Sequence, residues 1–508
     1  MTTKEDGKRM ITHRISLLFI SAALTAPVFS SQVAAEDDRP NILLIVSEDN
    51  GPELGCYGDP YVRTPVLDKL AAEGIRFERA YVPQAGCSQS RAAYLTGMYP
   101  HQNGQIGLAT WKFRMYREET PNIVRSLKQH GYRTGIIGKL HVNPESAFPF
   151  DYRKIPSANF GRKKLGRYAE AALEFFTASD QPFFLSVNYP DAHRPFLASV
   201  GGRPKQLLAP EDIEPLPWIG LDSPALREET ANYYHCMSRL DSLIGDLLAS
   251  LARSGKADNT LIVYFGDHGA DMLRGKRTSY EGGLRIPLIV RWPSRAKPGQ
   301  VRRELVSTLD LMPTWLEATR AKPVAGLAGR SLIPLLRGET PDWRDYLFTE
   351  FHAHSAHNYF PQRTVRGPRF KLIRNLMPGQ INPDYNFTLE RFYPALSPAI
   401  DAAPRHVREA YRTMRQPPEF ELYDLEEDPH EFRNLAVDPR YSEPLAELKR
   451  ELAVWRERTN DPLLEADNVA RLKAEIDACF ENGEPRKDRL TLTYPDYFFG
   501  STEGAERP

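Results

Sequence analysis

The chain has 508 residues, 41% of them apolar, which is enough for a large core and more than one domain. Lys plus Arg and Asp plus Glu both number 66, so the formal net charge is zero. That balance gives no ground for nucleic acid or an anionic membrane surface as partner, and four cysteines in so long a chain exclude a disulfide scaffold.

In chain order, residues 1–35 read as an export signal. Lys8, Arg9 and Arg14 precede an apolar run from Ile15 to Phe29, and Val33, Ala34 and Ala35 supply the small residues of a cleavage site. The alternative is a membrane anchor, but the run falls short of the ~20 residues that span a bilayer, and no other stretch is apolar enough. An exported protein, periplasmic or secreted, with no stable membrane span is the expectation.

Residues 36–343 then alternate two patterns. Apolar, β-branched runs predict strands at Asn41 to Val46, Thr134 to Ile137, Phe183 to Val187, Leu261 to Phe265 and Ile286 to Val290. Helical periodicity lies between them at Pro65 to Glu73, Pro121 to His130, Leu165 to Ala178 and Glu229 to Ser254. Alternation of this kind predicts an α/β fold with a large, mostly parallel sheet flanked by helices, whose sites collect past the carboxyl ends of strands. Residues 344–508 change character. Strands at Tyr346 to Phe351, Phe370 to Arg374 and Glu421 to Leu425 and a helix at Glu443 to Arg458 predict a smaller α+β domain with an antiparallel sheet. Asn375 to Pro418, rich in Pro, Asn and Tyr, reads as irregular.

Four clusters carry chemistry. Glu48 and Asp49 follow the first strand, where two acids suit either a solvated turn or a hard cation that wants several oxygens. Asp267 and His268 follow another strand beside glycines, as turn formers or as further ligands. Cys87 opens a short helix with Arg91 one turn on; this is either a capped helix start over a buried thiol or a place where first-turn N–H groups favour an anion. Lys139, His141, His193, Arg194 and Lys276 all come after strands of one sheet, and a tetrahedral anion needs such fixed positive charge with proton carriers.

At these residues the chain resembles the sulfatase family of the alkaline phosphatase superfamily, from Pro40 to about Pro462. The family's nucleophile motif, Cys-x-Pro-x-Arg with a Leu-Thr-Gly run, is present as Cys87 to Arg91 and Leu95 to Gly97. The acid pair after the opening strand, Gly138 to His141, Asp267 to Gly269, Gly275 with Lys276, and Glu421 to Pro429 with Asn434 to Ala436 also match. His101 to Gly104, Pro149 to Asp151 and Thr459 to Pro462 are similar to the sulfamidase subgroup. Three positions depart from the pattern. Gln89 stands where the family has proline or sometimes alanine, Glu48 stands for the first of two aspartates, and His268 stands for an Asn found in some members.

The resemblance implies a sulfatase acting on a sulfated oligo- or polysaccharide. It implies that Cys87 is converted to formylglycine (3-oxoalanine) by a formylglycine-generating enzyme. One calcium ion would be held by Glu48, Asp49, Asp267 and His268 together with residue 87. Arg91 and Lys139 would stabilise charge, His193 and Lys276 would contact sulfate and protonate the leaving group, and His141 would take a proton. His352, His354 and Arg363, in the domain that contributes to the pocket, are the candidates for sugar recognition. The rivals are a phosphatase or phosphonate monoester hydrolase of the same superfamily and a glycan-binding protein without the modification. A homodimer is left open.

Overall fold

β1 (Asn41–Ser47) is buried along its whole length because both its faces are covered. Leu43 and Ile45 enter one apolar cluster with Leu185, Ile262 and Tyr264, while Ile42, Leu44 and Val46 enter another with Phe184, Val263 and Phe265. Side chains alternate across a strand, so a strand buried on both faces reads as one continuous apolar run. This computed structural model describes residues 39–293 and 295–500, and the predicted export signal lies outside them. Among the described residues no helix is long and apolar enough to cross a membrane.

The main sheet has nine strands: β1, β2 (Ile75–Tyr81), β3 (Arg133–Gly138), β4 (Tyr152–Lys154), β5 (Phe183–Tyr189), β6 (Thr260–Gly266), β7 (Arg285–Arg291), β8 (Gln300–Arg302) and β9 (Val306–Ser307). Their order is β4-β3-β5-β1-β6-β7-β2-β8, with β9 also on β2. β7 alone runs against its neighbours, pairing antiparallel with β6 and β2. Helices cover both faces. Pro65–Glu73, Arg167–Thr177 and the long Pro224–Arg253 lie on one side, and Ile123–Gln129 and Leu311–Thr319 lie on the other.

A second, antiparallel sheet follows: β10 (Leu347–Phe351), β11 (Gln362–Arg366), β12 (Phe370–Asn375) and β13 (Phe420–Asp424), in that order. The helix Ser442–Arg458 covers it, with Leu448, Leu452 and Trp455 packed against Val365, Leu372 and Leu422. Ala93, from the helix that begins at Cys87, belongs to the same cluster, while Ala92, Tyr94 and Leu95 of that helix belong to the cluster of the main sheet, so this helix is wedged between the two sheets.

One expectation fails here. The stretch read as irregular, Asn375 to Pro418, holds helices at Pro383–Phe392, Ser397–Ala402 and Arg405–Arg415. Pro383, Pro398 and Pro404 sit in or just before a first helical turn, where the missing N–H costs nothing and the fixed φ helps.

Candidate active site

Four neighbouring strands, in the order β3-β5-β1-β6, run parallel, so the loops after them open on one edge of the sheet. Glu48 and Asp49 leave β1, Lys139 and His141 leave β3, His193 leaves β5, and Asp267 and His268 leave β6. The backbone is bent hard at these exits. Asp49 and His141 hold φ of 50° and 59°, a region that non-glycine residues enter only when the surroundings over-determine it. Gly138 has φ 92°, and a Cβ there would lie 2.2 Å from the Asn188 carbonyl oxygen, so only glycine lets Lys139 turn inward.

Cys87 is the first residue of the helix Cys87–Thr96, whose N-cap Gly86 is extended. First-turn N–H groups lack intrahelical partners, which gives the site a fixed positive edge. The Cys87 Sγ lies 3.4 Å from His268 Nε2. Ligand atoms of Glu48, Asp49, Cys87 and His193 form one group within 4.8 Å of one another, and those of Cys87, Asp267 and His268 form a second. The two groups share Cys87. They are also joined by the Asp49 backbone N–H, which donates to Asp267 Oδ1 at 2.9 Å, and by His268 Nε2 at 3.2 Å from Asp49 Oδ1. Three carboxylates and an imidazole gathered around Cys87, all fully buried, fit a hard divalent cation by their donor chemistry. Glu48, Asp49, Asp267 and His268 are thus brought together around Cys87, and His193 joins the group of Glu48 and Asp49.

Cations interleave with these acids. Arg91, with no exposed surface, donates to Glu48 at 2.8 Å, Asp267 at 3.0 Å and Asn188 Oδ1 at 2.7 Å. Lys139 Nζ meets Glu48 Oε2 at 2.7 Å, and Lys276 Nζ bridges both Asp49 oxygens at 2.9 and 3.0 Å. Burial works against the charge on Lys276, but Asp49 and then Cys87 and Asp271 outweigh it and hold the ammonium above its usual range. Asp267 is likewise opposed by burial, yet His268, Arg91 and Lys139 keep it well below the carboxylate range. His268 is raised to about 9, with Asp267 and Asp49 overcoming burial.

His141 and His193 go the other way. Burial, followed by the charges of Lys139, Arg91 and Lys276, holds His141 well below the usual imidazole range. Neither of its ring nitrogens has a partner. Burial with Lys276 and Lys139 brings His193 down to about 3. A buried imidazole with both nitrogens unsatisfied, facing Lys139, Arg91 and Lys276, can take a proton from a group that enters the site.

Residues 40–321 match the family model described as Sulfatase. The chain belongs to the sulfatase family. Residues 266–382 also match the model described as N-sulphoglucosamine sulphohydrolase, C-terminal. Among curated relatives, the human N-sulphoglucosamine sulphohydrolase is 33% identical over 467 residues, covering 84% of this chain and 91% of that protein. An ulvan-active sulfatase of Formosa agariphila is 28% identical, covering 85% and 83%. A solved structure, described as a complex with its substrate D-glucosamine-2-N,6-O-disulfate, aligns with TM-score 0.62 at 22% identity over 83% of this chain and 98% of its own. At that identity it shows the shared fold.

The three sugar-recognition candidates are placed differently in this sulfatase. Burial, followed by the charges of Lys276, Arg277 and His268, holds His354 well below the usual imidazole range, which sets it at the border of the catalytic cluster. Its Nδ1 is buried and unpartnered. Arg363 has no exposed surface and spends its guanidinium on Asp461, at 2.7 and 2.9 Å, and on His352 Nε2 at 3.0 Å. Neither Arg363 nor His352 is brought together with Cys87.

Gln89 is fully buried in the first turn of the nucleophile helix. Its Nε2 donates to the Ala353 carbonyl at 2.6 Å, and Gln84 Nε2 donates to the same oxygen at 3.1 Å. A side chain at Gly86 would meet the Gln89 amide at 2.6 Å. The departure from proline thus ties the nucleophile helix to the segment carrying His352 and His354. Two site residues carried no recognised signal. Asn188 fixes Arg91, and Asp271 binds Arg277 at 2.7 Å and faces Lys276 at 3.8 Å. Asp271 lies between two recognised motifs, which was the available clue.

Proposed function

We propose that this sulfatase hydrolyses sulfate groups of a sulfated glycan, with the N-sulfate of glucosamine the leading candidate and O-sulfate the second. It would do so through formylglycine at position 87 and one calcium ion. The observation that carries the proposal is the meeting of Cys87 with two carboxylate groups inside a ring of Arg91, Lys139, Lys276 and two neutral histidines. Support for the glycan comes from the match of residues 266–382 and from the human relative's name.

Glu48, Asp49, Asp267 and His268 would hold the ion together with residue 87. When bound, calcium polarises oxygen and offsets sulfate charge, and the hydrated aldehyde supplies an oxygen nucleophile that a thiol lacks. Arg91, locked by Glu48, Asp267 and Asn188, cannot swing away, so its charge is fixed where negative charge develops. Lys139 adds a second fixed charge. Lys276, held protonated, and His193, whose ring a bound sulfate anion raises toward its charged form, contact the sulfate and deliver a proton to the leaving nitrogen or oxygen. Neutral His141 accepts a proton at residue 87. Residues 36–343 act as the catalytic domain, and residues 344–508 complete the pocket through His354. Export through residues 1–35, to the periplasm or outside the cell, places the enzyme where polysaccharides are met, after maturation by a formylglycine-generating enzyme.

The test is release of free sulfate from N-sulfated and O-sulfated glucosamine saccharides, with an aryl phosphate for comparison. Sulfate release that stops on chelation and returns with calcium is expected. Preferential turnover of the phosphate ester, or no dependence on a divalent ion, would overturn the reading.

A further inference from the structure

The segment 155–166, between β4 and the helix Arg167–Thr177, takes no part in the chemistry above but walls the site on one side. The Phe160 ring stacks on His193 with centroids 3.7 Å apart and planes within 14°, and Lys139 Nζ lies 5.1 Å from the same ring. Arg162, 1% exposed, pairs with Asp191 at 3.0 Å and donates to the carbonyls of Phe160 and His193. Ile155, Asn159, Arg162 and Lys164 all hold φ between 47° and 52°. Left-handed conformations are disfavoured for residues with a Cβ, so the strap keeps its tight shape because Arg162 and Phe160 anchor it.

The outer face of the strap is basic. A cavity of about 550 Å³ is lined by Lys154, Lys163, Lys164 and Arg167, and by Glu170 and Glu174 from the same helix as Arg167. Lys154 is paired with Glu174 at 3.3 Å. Among the described residues no acid pairs with Lys163, Lys164 or Arg167, all exposed. Elsewhere on this protein exposed cations commonly find an acid, as Arg227 does with Asp222 and Arg440 with Asp438. Three unpaired cations converging on a concave surface favour an anion there. Phe160 faces His193 while Lys164 lines the cavity, and four residues of chain span at most about 14 Å. That distance is within the length of a short oligosaccharide.

We infer that this cavity is a second anion-binding site, which takes a sulfate or carboxylate on another sugar of the glycan whose sulfate is being cleaved. The inference rests on the glycan reading of the site. It gives the enzyme a preference for charged oligosaccharides over small sulfate esters, expressed in binding rather than in the chemical step, because the cations do not touch the reacting group.

The triple variant K163A/K164A/R167A tests this, since none of the three side chains packs in the core. With a sulfated heparin-type tetrasaccharide, KM is expected to rise about tenfold with kcat unchanged, while kinetics on an aryl sulfate stay within about twofold. An unchanged KM for the tetrasaccharide would overturn the inference. So would an equal loss on both substrates, which would make these residues supports of the strap. A second arm does not depend on turnover. In a Cys87→Ala background, calorimetric affinity for the same tetrasaccharide should fall about tenfold on adding the triple variant, with a shallower salt dependence. Equal affinity would refute the site. If wild type releases no sulfate while binding remains sensitive to the triple variant, the glycan-sulfatase reading fails and the anion site stands.

Discussion

Two clusters of buried charge lie on either side of the nucleophile helix, and they differ in one respect. Beneath the second sheet, His101 binds Glu350 at 2.5 Å, Arg363 and Arg456 share Asp461, and His352 closes the chain of contacts against Gln84. No side-chain atom of those residues lacks a partner among the described residues. In the catalytic cluster, by contrast, both His141 nitrogens, Arg91 Nε and the His354 Nδ1 are orphaned. One satisfies its buried charges with internal bonds, whereas the other leaves buried nitrogens without partners among the described residues. Burial of charge therefore does not mark a site by itself; several unsatisfied atoms gathered around one set of acids add to the case, while single ones also occur elsewhere, as at Arg302 Nε and Trp315 Nε1.

Substitutions should separate the two. Cys87→Ala is expected to lower sulfate release by about 10⁴-fold, because the nucleophile is gone. The melting temperature should move little, since the site stores no stability in that side chain. Asp461→Ala should do the reverse. It removes the carboxylate that Arg456 pairs with and leaves Arg363 only Glu350 at 3.9 Å, a loss of about 3–5 kcal/mol in denaturant unfolding. Turnover per folded molecule below the transition should stay near wild type. If Asp461→Ala instead abolished turnover in folded protein, the division between the clusters would be wrong.

A smaller effect is expected from pH. Burial opposes ionisation of Glu350, but His101 and then His352 outweigh it and bring the carboxyl to about 2. The folded value lies below the unfolded value of about 4.3. Its contribution is therefore complete above that pH and is lost as pH falls toward 2. Glu350→Gln should flatten that decline by about 3 kcal/mol, read from unfolding free energies across the range. The smallest effect belongs to Gln89→Ala, which leaves the Ala353 carbonyl with only Gln84. About 1 kcal/mol of stability should go, and a few-fold rise in KM should follow because the segment bearing His354 loosens. An unchanged KM would remove that segment from the pocket.

The catalytic cluster was largely legible in the sequence, and the other was not. Glu48, Asp49, Lys139, His141, His193, Asp267 and His268 all follow apolar runs, which read as strands because both faces of β1, β3, β5 and β6 are covered. Chemistry at strand ends is then a matter of position. β2 was not foreseen, since its Arg76, Glu78 and Arg79 interrupt the apolar pattern at a half-exposed place. β11 was missed for a different reason. Its Gln362, Arg363, Thr364 and Arg366 are buried yet polar, and the partners that allow this, such as Asp461, lie about a hundred residues away. The same distance hid the role of Arg363, which read as a sugar ligand and sits in the satisfied network. Periodicity reports local burial; it cannot report which distant acid neutralises a given arginine.

The central claim concerns residue 87, and mass spectrometry of the peptide around it, in protein from its native host, addresses that claim directly. An aldehyde in place of the thiol is predicted despite Gln89. A free thiol throughout, in protein that still releases sulfate from a glycan, would contradict the account.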